Sequence, residues 1–544
     1  MNMPNIVGLT QTKIAPSVLI LLASIFVVAT GNMTFYSKLE QVYLWPENAG
    51  FLMSISVLLC CVTMVFTLLL NILMPVRLAI SLVLFISALA GYFTDQFGAV
   101  IDHIMIRNVF ETDIAEAKDL VSFSFFLRIT LLGILPIALV WNIPLNKPKW
   151  LGDMRRRVKN TGIMFISILV VVGLCLVISG GQYASFFRQH KSLRYYANPI
   201  HPMYSVGEFV SQQFVSHAQG VFQKISTHAG IPDSDHHREL VIVVVGETAR
   251  ADHFSLNGYA RQTNPLLEQE ENLLSYSNIK ACGTSTAISV PCMFSLLGRD
   301  NFDVDSSKQT ENVLDIVSKA NISVLWRDNN SDSKGVAERV PYQNFRSADN
   351  NPDCDTECRD VGMLSGLQEY IERQTNDMLI VLHQMGSHGP AYFKRYPKSF
   401  EVFVPACQTA ELSACSDQEI INAYDNSILY TDYFLAEIVG FLKRNTPRYE
   451  TAMLYISDHG ESLGEKNLYL HGMPYMFAPK DQLNVPLIVW AGESSDIDLP
   501  ATMALKQVPN SHDAVAQAIL MSLEVESDAI LLDSPPLLVM KADD

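Results

Sequence analysis

The first third of this chain consists of apolar runs long enough to cross a lipid bilayer, which restricts it to folds whose helices sit in hydrocarbon. Five runs qualify, at residues 15–36, 49–74, 78–97, 121–141 and 162–182, since a crossing helix takes about 20 residues. Lys13 ahead of the first run imitates a cleavable signal peptide, but four more runs follow, so the first is read as a retained span. From about residue 234 the chain reads as an ordinary soluble domain with mixed charges. At 544 residues it exceeds one ordinary core, and two or more units are expected. The expected division is 1–182 for the spans, 183–237 for a bridging segment and 238–544 for a second domain.

Short-loop charge sets the expected orientation. Residues 142–161 carry Lys147, Lys149, Arg155, Arg156, Arg157 and Lys159 against Asp153, which predicts a cytoplasmic loop. Five spans from a cytoplasmic N-terminus then place everything after residue 182 outside. The loop at 95–119 is acid-rich, with Asp95, Asp102, Glu111, Asp113, Glu116 and Asp119, in keeping with that side. Cys60, Cys61 and Cys175 lie in spans and read as packing thiols. The other six cysteines form neighbouring pairs in the outer domain, where disulfides persist. Local loop closure favours Cys282 with Cys292, Cys354 with Cys358, and Cys407 with Cys415. None of these pairs has the C-x-x-C spacing of a zinc ribbon. A net charge of −17 argues against a nucleic-acid partner.

Residues 183–237 contain Arg188, His190, Lys191, Arg194, Tyr195 and Tyr196, the mix of a segment at headgroup level or of an ordinary linker helix. Residues 239–246 are an almost unbroken apolar, β-branched run, as in a strand buried on both faces of a parallel sheet. Comparable runs at 322–326, 377–382, 452–456 and 486–490 alternate with helical stretches at 312–320, 365–374 and 420–444. Alternation of this kind predicts a doubly wound α/β domain.

In such sheets ligands sit beyond the carboxyl ends of the strands. There the chain places Glu247, then His383 and His388, then Asp458 and His459, all metal-ligand types. Each alone is a common turn or surface residue; together, after three buried strands, they predict a metal site. His471, twelve residues beyond His459, is within reach of it. A nucleophile is expected in the Ser/Thr-rich loop at 283–286, which a cysteine pair ties and which leads into a helix. A helix N-terminus favours an anion, and a metal activates a hydroxyl that is otherwise a poor nucleophile. Thr286 is the expected nucleophile, with Thr284 and Ser285 left open by spacing alone.

Gly-Glu-Thr-Ala-Arg-Ala-Asp-His from residue 246, Cys-Gly-Thr-Ser-Thr-Ala from 282, Gly-Ser-His-Gly-Pro from 386 and Ser-Asp-His-Gly-Glu-Ser from 457, after five spans, resemble the lipid A phosphoethanolamine transferases. That family includes the mobile colistin-resistance enzymes and belongs to the alkaline phosphatase and sulfatase superfamily. The resemblance implies a five-helix transmembrane domain plus an α/β periplasmic domain with a mostly parallel central sheet, anchored as a multi-pass protein of a bacterial inner membrane. It implies transfer of phosphoethanolamine from phosphatidylethanolamine to a lipid A phosphate, with polymyxin resistance as the outcome and a monomer as the working state. Glu247, Thr286, Asp458 and His459 would hold the catalytic zinc, and Thr286 would carry the covalent intermediate. His388 and His471 match family histidines that bind a second zinc or handle the proton, and His383 is a further candidate in the same motif. Asn330 and Lys334 resemble residues that grip the ethanolamine phosphate. Asn108, Glu111, Thr112 and Glu116 resemble the family's donor-lipid contacts.

Neither Cys282 nor Cys292 begins the C-x-P-x-R sequence of sulfatases, so sulfatase activity is not expected. Transfer to a core sugar, or of phosphoglycerol to a periplasmic glucan, is the alternative within this fold. A transporter or sensor would be the alternative from another class. Against it, Arg128 alone stands out as a charge well inside a span, with no polar pathway in sight. Arg128 could be buried against polar groups or snorkel, and it is given no role.

Overall fold

The computed structural model describes residues 13–111, 114–145, 154–216, 222–233, 235–529 and 534–541. Contacts divide the chain into two units, Met1–Ile106 with Val121–Ser211, and Arg107–Leu120 with Gln212–Asp544.

In the first unit, four helices among the described residues are long and apolar enough to cross a membrane: Ala49–Leu73, Val76–Phe97, Phe123–Asn142 and Val158–Gln189. The first predicted run is not one straight helix. It divides into Pro16–Thr30 and Met33–Val42, which meet at 63° and make a fifth crossing if the bent pair counts as one. Two asparagines satisfy the backbone groups that this break opens. Asn32 Nδ2 donates to the Asn198 carbonyl at 2.9 Å and to the Val27 carbonyl at 3.3 Å, and the Asn198 N–H returns a bond to Asn32 Oδ1 at 2.9 Å. Asn198 Nδ2 donates to the Gly31 and Ser87 carbonyls, both at 2.8 Å. Unpaired backbone polar groups are costly in such surroundings. Asn198→Ala keeps the backbone bonds to Asn32 but strands the Gly31 and Ser87 carbonyls that its side chain serves, each worth about 1–3 kcal/mol. The expected result is a clearly lower Tm in detergent.

Arg128, the charge inside the third of these helices, pairs with Asp95 at 2.5 Å. The other oxygen of Asp95 accepts the Thr34 N–H at 2.8 Å. That helix widens into a π segment at Ile129–Ile134, which ends two residues before Pro136. A proline ring displaces the carbonyl four residues back, and a wide turn accommodates it.

The second unit is built on a sheet of eight strands, β1 (Glu239–Gly246), β2 (Leu273–Lys280), β3 (Ser323–Asp328), β4 (Tyr342–Asn344), β5 (Met378–His383), β6 (Glu450–Ser457), β7 (Asn484–Ala491) and β8 (Asn510–Ser511). Their order is β8-β2-β7-β6-β1-β5-β3-β4. All run parallel except β7, which is antiparallel to both of its neighbours. Every residue of β1 is buried, as expected for a strand covered on both faces. Val241, Val243 and Val245 face one core layer, and Leu240, Ile242 and Val244 face the other. Helix Asp417–Asn445, opened by a Ser416–Glu419 capping box, covers the second layer through Ile420, Tyr424, Ile428, Leu435 and Leu442. Helices Val313–Lys319 and Val515–Met521 cover the first.

The expected α/β class and mostly parallel sheet are present. Strand β2 went unpredicted because it pairs antiparallel with β7 along most of its length, and its Leu-Leu-Ser-Tyr-Ser-Asn-Ile-Lys sequence is half polar. The cysteines pair as local closure suggested: 282 with 292, 354 with 358, and 407 with 415. Cys60, Cys61 and Cys175 are free thiols. The short segment Arg107–Leu120 is held to this unit by ion pairs. Arg107 grips both oxygens of Asp305 at 2.7 and 2.8 Å. Asp119 meets Arg395 at 3.0 Å and also Lys394.

Candidate active site

Four neighbouring strands, β6, β1, β5 and β3, end on the same rim, and the residues just beyond them converge. Glu247 comes after β1, Asp458 and His459 come after β6, and one donor atom from each lies within 4.8 Å of the others. All three side chains are buried. The His459 Nδ1 faces the Gly460 carbonyl at 2.9 Å, which leaves Nε2 for the cluster, 3.4 Å from Glu247 Oε1 and 3.3 Å from Asp458 Oδ2. Asp458 Oδ1 accepts the N–H groups of Thr248 and His459, whereas Oδ2 is buried and accepts no hydrogen bond. Burial first, then the charge of Glu247, pushes the Asp458 carboxyl up to about 7. Burial also opposes ionisation of Glu247, but His459, His388 and His471 outweigh it and keep that carboxyl below its ordinary range. Two buried carboxylates, an aimed imidazole nitrogen and an orphaned carboxylate oxygen fit a divalent metal.

Helix Thr286–Met293 delivers the hydroxyl. Thr286 Oγ1 donates to Glu247 Oε2 at 3.1 Å and lies 3.5 Å from His459 Nε2. Of the alternatives from spacing, Thr284 Oγ1 donates to the Met473 carbonyl at 2.7 Å, whereas the Ser285 hydroxyl is buried without a hydrogen-bond partner. Two motif glycines allow the loops to close this far. Gly386, at φ +52°, would bring a Cβ within 2.8 Å of the Glu247 carbonyl, and a Cβ at Gly460 would lie 2.1 Å from the Asp481 carbonyl.

A cavity of about 60 Å³, open to solvent, lies over Thr286. Asn108, Glu111, Ser331, Lys334, His388 and His471 line it with Ser285 and Ala287. The start of the Thr286 helix therefore faces whatever occupies this space, a position that favours a phosphate. The His471 ring lies tilted against His459 at 4.3 Å and edge-on to His388 at 5.4 Å, and its Nδ1 lies 3.2 Å from Glu461. Burial, then the charge of His459, lowers His471 to about 3 and keeps it neutral.

The phosphoethanolamine transferase EptA/EptB family model matches residues 58–214, and the sulfatase family model matches residues 239–523. Phosphatidylethanolamine transferase Mcr-2 of Escherichia coli is 44% identical over 535 residues, covering 95% of this chain and 97% of its own. Phosphoethanolamine transferase EptA of Escherichia coli K12 is 38% identical over 417 residues, 76% of this chain and 75% of its own. The solved integral membrane protein lipooligosaccharide phosphoethanolamine transferase A of Neisseria meningitidis superposes with a TM-score of 0.88 at 30% identity, covering 94% of this chain and 96% of its own. This chain belongs to the lipid A phosphoethanolamine transferase family.

For a transferase of this family, not every expected residue stands where the motifs suggested. Asn330 is turned inward, donating to Glu247 Oε2 at 2.8 Å and to the Gln384 carbonyl at 2.9 Å, so it braces the cluster and does not line the cavity. Lys334 does line it, its Nζ donating to the Ser331 carbonyl at 3.0 Å. His383 is buried against Asp328 at 2.9 Å. Thr112 and the Glu116 side chain lie outside the described residues. Several supporting residues escaped the sequence reading. Asp360 accepts the Met385 and Gly386 N–H groups and the amides of Asn329 and Gln384, which shapes the loop after β5. Glu461 holds His471 and Tyr392. The Ser-Asp-His-Gly-Glu-Ser motif contained Glu461, but nothing in the local sequence around Asp360 marks it.

Proposed function

We propose that this transferase moves phosphoethanolamine from phosphatidylethanolamine to a lipid A phosphate through a covalent intermediate on Thr286. The observation that carries the reading is the buried contact of the Thr286 hydroxyl with Glu247 and His459 at a helix N-terminus, beneath a cavity with Lys334, His388 and His471 in its wall. Glu247, Asp458, His459 and Thr286 would hold one zinc ion, which, when bound, lowers the pKa of the hydroxyl and offsets charge on the phosphoryl oxygens. Thr286 Oγ1 attacks phosphorus as the bond to the diacylglycerol oxygen breaks, and that oxygen takes a proton. A lipid A phosphate oxygen then attacks, the P–Oγ1 bond breaks, and Thr286 regains its proton. His388 and His471 are placed to handle these protons, and Asn330 keeps Glu247 aimed. Asn108, Glu111 and Lys334 would receive the donor headgroup.

Residues 1–182, in this reading, cross the inner membrane from a cytoplasmic N-terminus, with 183–237 as the bridge and 238–544 in the periplasm. The added ethanolamine ammonium reduces the anionic charge of lipid A, which weakens the attraction of polymyxin and other cationic peptides. Incubation with fluorescent phosphatidylethanolamine and purified lipopolysaccharide, which offers both lipid A phosphates and core sugars, followed by mass measurement of the lipid product, tests the reading. A product modified on a core sugar, or none, would overturn it. Lys334→Ala is expected to raise KM for the donor lipid by about tenfold or more, the effect of one charged hydrogen bond. An unchanged KM in that assay would remove Lys334 from the headgroup site.

A further inference from the structure

The central strands have acidic residues at both ends. Glu239 opens β1, Glu450 opens β6 and Asp377 directly precedes β5. Glu239 is in register with Glu450, and Leu240 with Met378, so three carboxylates stand in one row across three adjacent parallel strands. They share a face, because Val241, Ala452 and Leu379, two residues further along each strand, all belong to one core layer. Like charges placed side by side across a sheet are destabilising.

More acids close around this row. One oxygen each from Asp235, Glu239 and Asp377 lies within 4.8 Å of the others, and Glu450, Asp496 and Glu524 form a second group by the same measure. Glu239 is 3% exposed, and neither of its carboxylate oxygens accepts a hydrogen bond. The nearby cations are engaged elsewhere or lie in solvent. Arg238 donates to the Gln374 and Asn376 carbonyls and stacks on Tyr449. Lys541 donates to the Ser495 carbonyl. His237 reaches Glu450 at 3.3 Å but is 73% exposed. Burial and the surrounding acids push Glu239 up to about 9, and burial with the contact to Asp496 pushes Glu524 up to about 8.

We propose that Glu239, Asp235 and Asp377 bind one calcium ion at the edge of the sheet opposite the catalytic cluster, with Glu450, Asp496 and Glu524 adjoining as further oxygen donors. An all-oxygen set without histidine or cysteine selects a hard cation over zinc. Calcium accepts about six to eight such ligands in flexible geometry, whereas magnesium demands a regular octahedron. The length of β1 puts this site roughly 25 Å from Glu247, so its role is to fasten strand starts and not to act on phosphorus. The ion would tie the starts of β1, β5 and β6 to the turn after helix Val515–Met521.

The test uses the full chain in detergent with its catalytic metal, titrated with calcium chloride by calorimetry while Tm is followed, and with magnesium chloride in parallel. One calcium per chain is expected, with a Kd of about 1 mM or tighter, together with a saturable rise in Tm and unchanged transfer activity. Glu239→Gln is expected to abolish both the calorimetric heat and the Tm rise. Its calcium-free form should be no less stable than the calcium-free parent, since a repelling charge is gone. Asp377→Asn gives the same reading if the first variant does not fold. Calcium binding that survives in a folded variant overturns the site. So does a parent that takes up no calcium, in which a shared proton would then hold the row together.

Discussion

Thr286→Ala is expected to lower the rate of phosphoethanolamine transfer by at least about 10³-fold, the scale of losing a nucleophile whose partners act only through it. The substitution removes a hydroxyl that is 3.1 Å from Glu247 and 3.5 Å from His459. It leaves the helix, the disulfide between Cys282 and Cys292 and the cavity wall in place. Tm should therefore change little while diacylglycerol release from a fluorescent donor lipid stops. Intact-mass measurement of the parent enzyme during turnover should reveal a population heavier by one phosphoethanolamine, absent from the alanine variant. Undiminished diacylglycerol release by Thr286→Ala would exclude this residue as the nucleophile. The buried, unbonded hydroxyl of Ser285 would then be the next candidate.

Removal of the metal is expected to abolish transfer and to destabilise the catalytic unit together. Without a cation, Glu247 and Asp458 face each other in a fully buried cluster, and Asp458 Oδ2 has no donor. Burial and repulsion then push Asp458 up to about 7. Treatment with a chelator should bring transfer to background and lower Tm, and one equivalent of zinc should restore both. Asp458→Asn separates the two effects. It removes a repelling charge, so the metal-free variant should be no less stable than the metal-free parent. Its zinc affinity should fall by at least about 100-fold, the upper end of what even a supporting residue costs. Full turnover by a protein shown by elemental analysis to hold no metal would overturn the mechanism.

Much of the site was legible because its parts are local. An apolar β-branched run marks a strand buried on both faces, and the residues just past its carboxyl end fall on the functional rim, so Glu247, Asp458 and His459 could be found without coordinates. The cysteine pairs were legible for the same reason, since short loops close on themselves. Asn330 was not, because its motif shows an amide near the site but not that the amide turns inward to Glu247. Asp360 opens a short helical turn just after a disulfide, and its four hydrogen-bond donors come from residues distant in the chain. The bend at Gly31 and Asn32 depends on Asn198, 166 residues beyond Asn32. A hydropathy run cannot register such a partner.

The amino-acid order by itself determined which stretches can lie in lipid, which strands must be covered on both faces, which residues stand at their ends and which cysteines are close enough to join. Those properties follow from hydrophobic period, β-branching and short-range closure, all carried by neighbours in the chain. Tertiary structure decided which of three adjacent hydroxyls meets the cluster, that Arg107–Leu120 packs with the catalytic unit, and that acids from three strands and the segments around them crowd about Glu239. Such outcomes depend on strand order and register, which bring together residues up to hundreds of positions apart through interactions that no local pattern encodes.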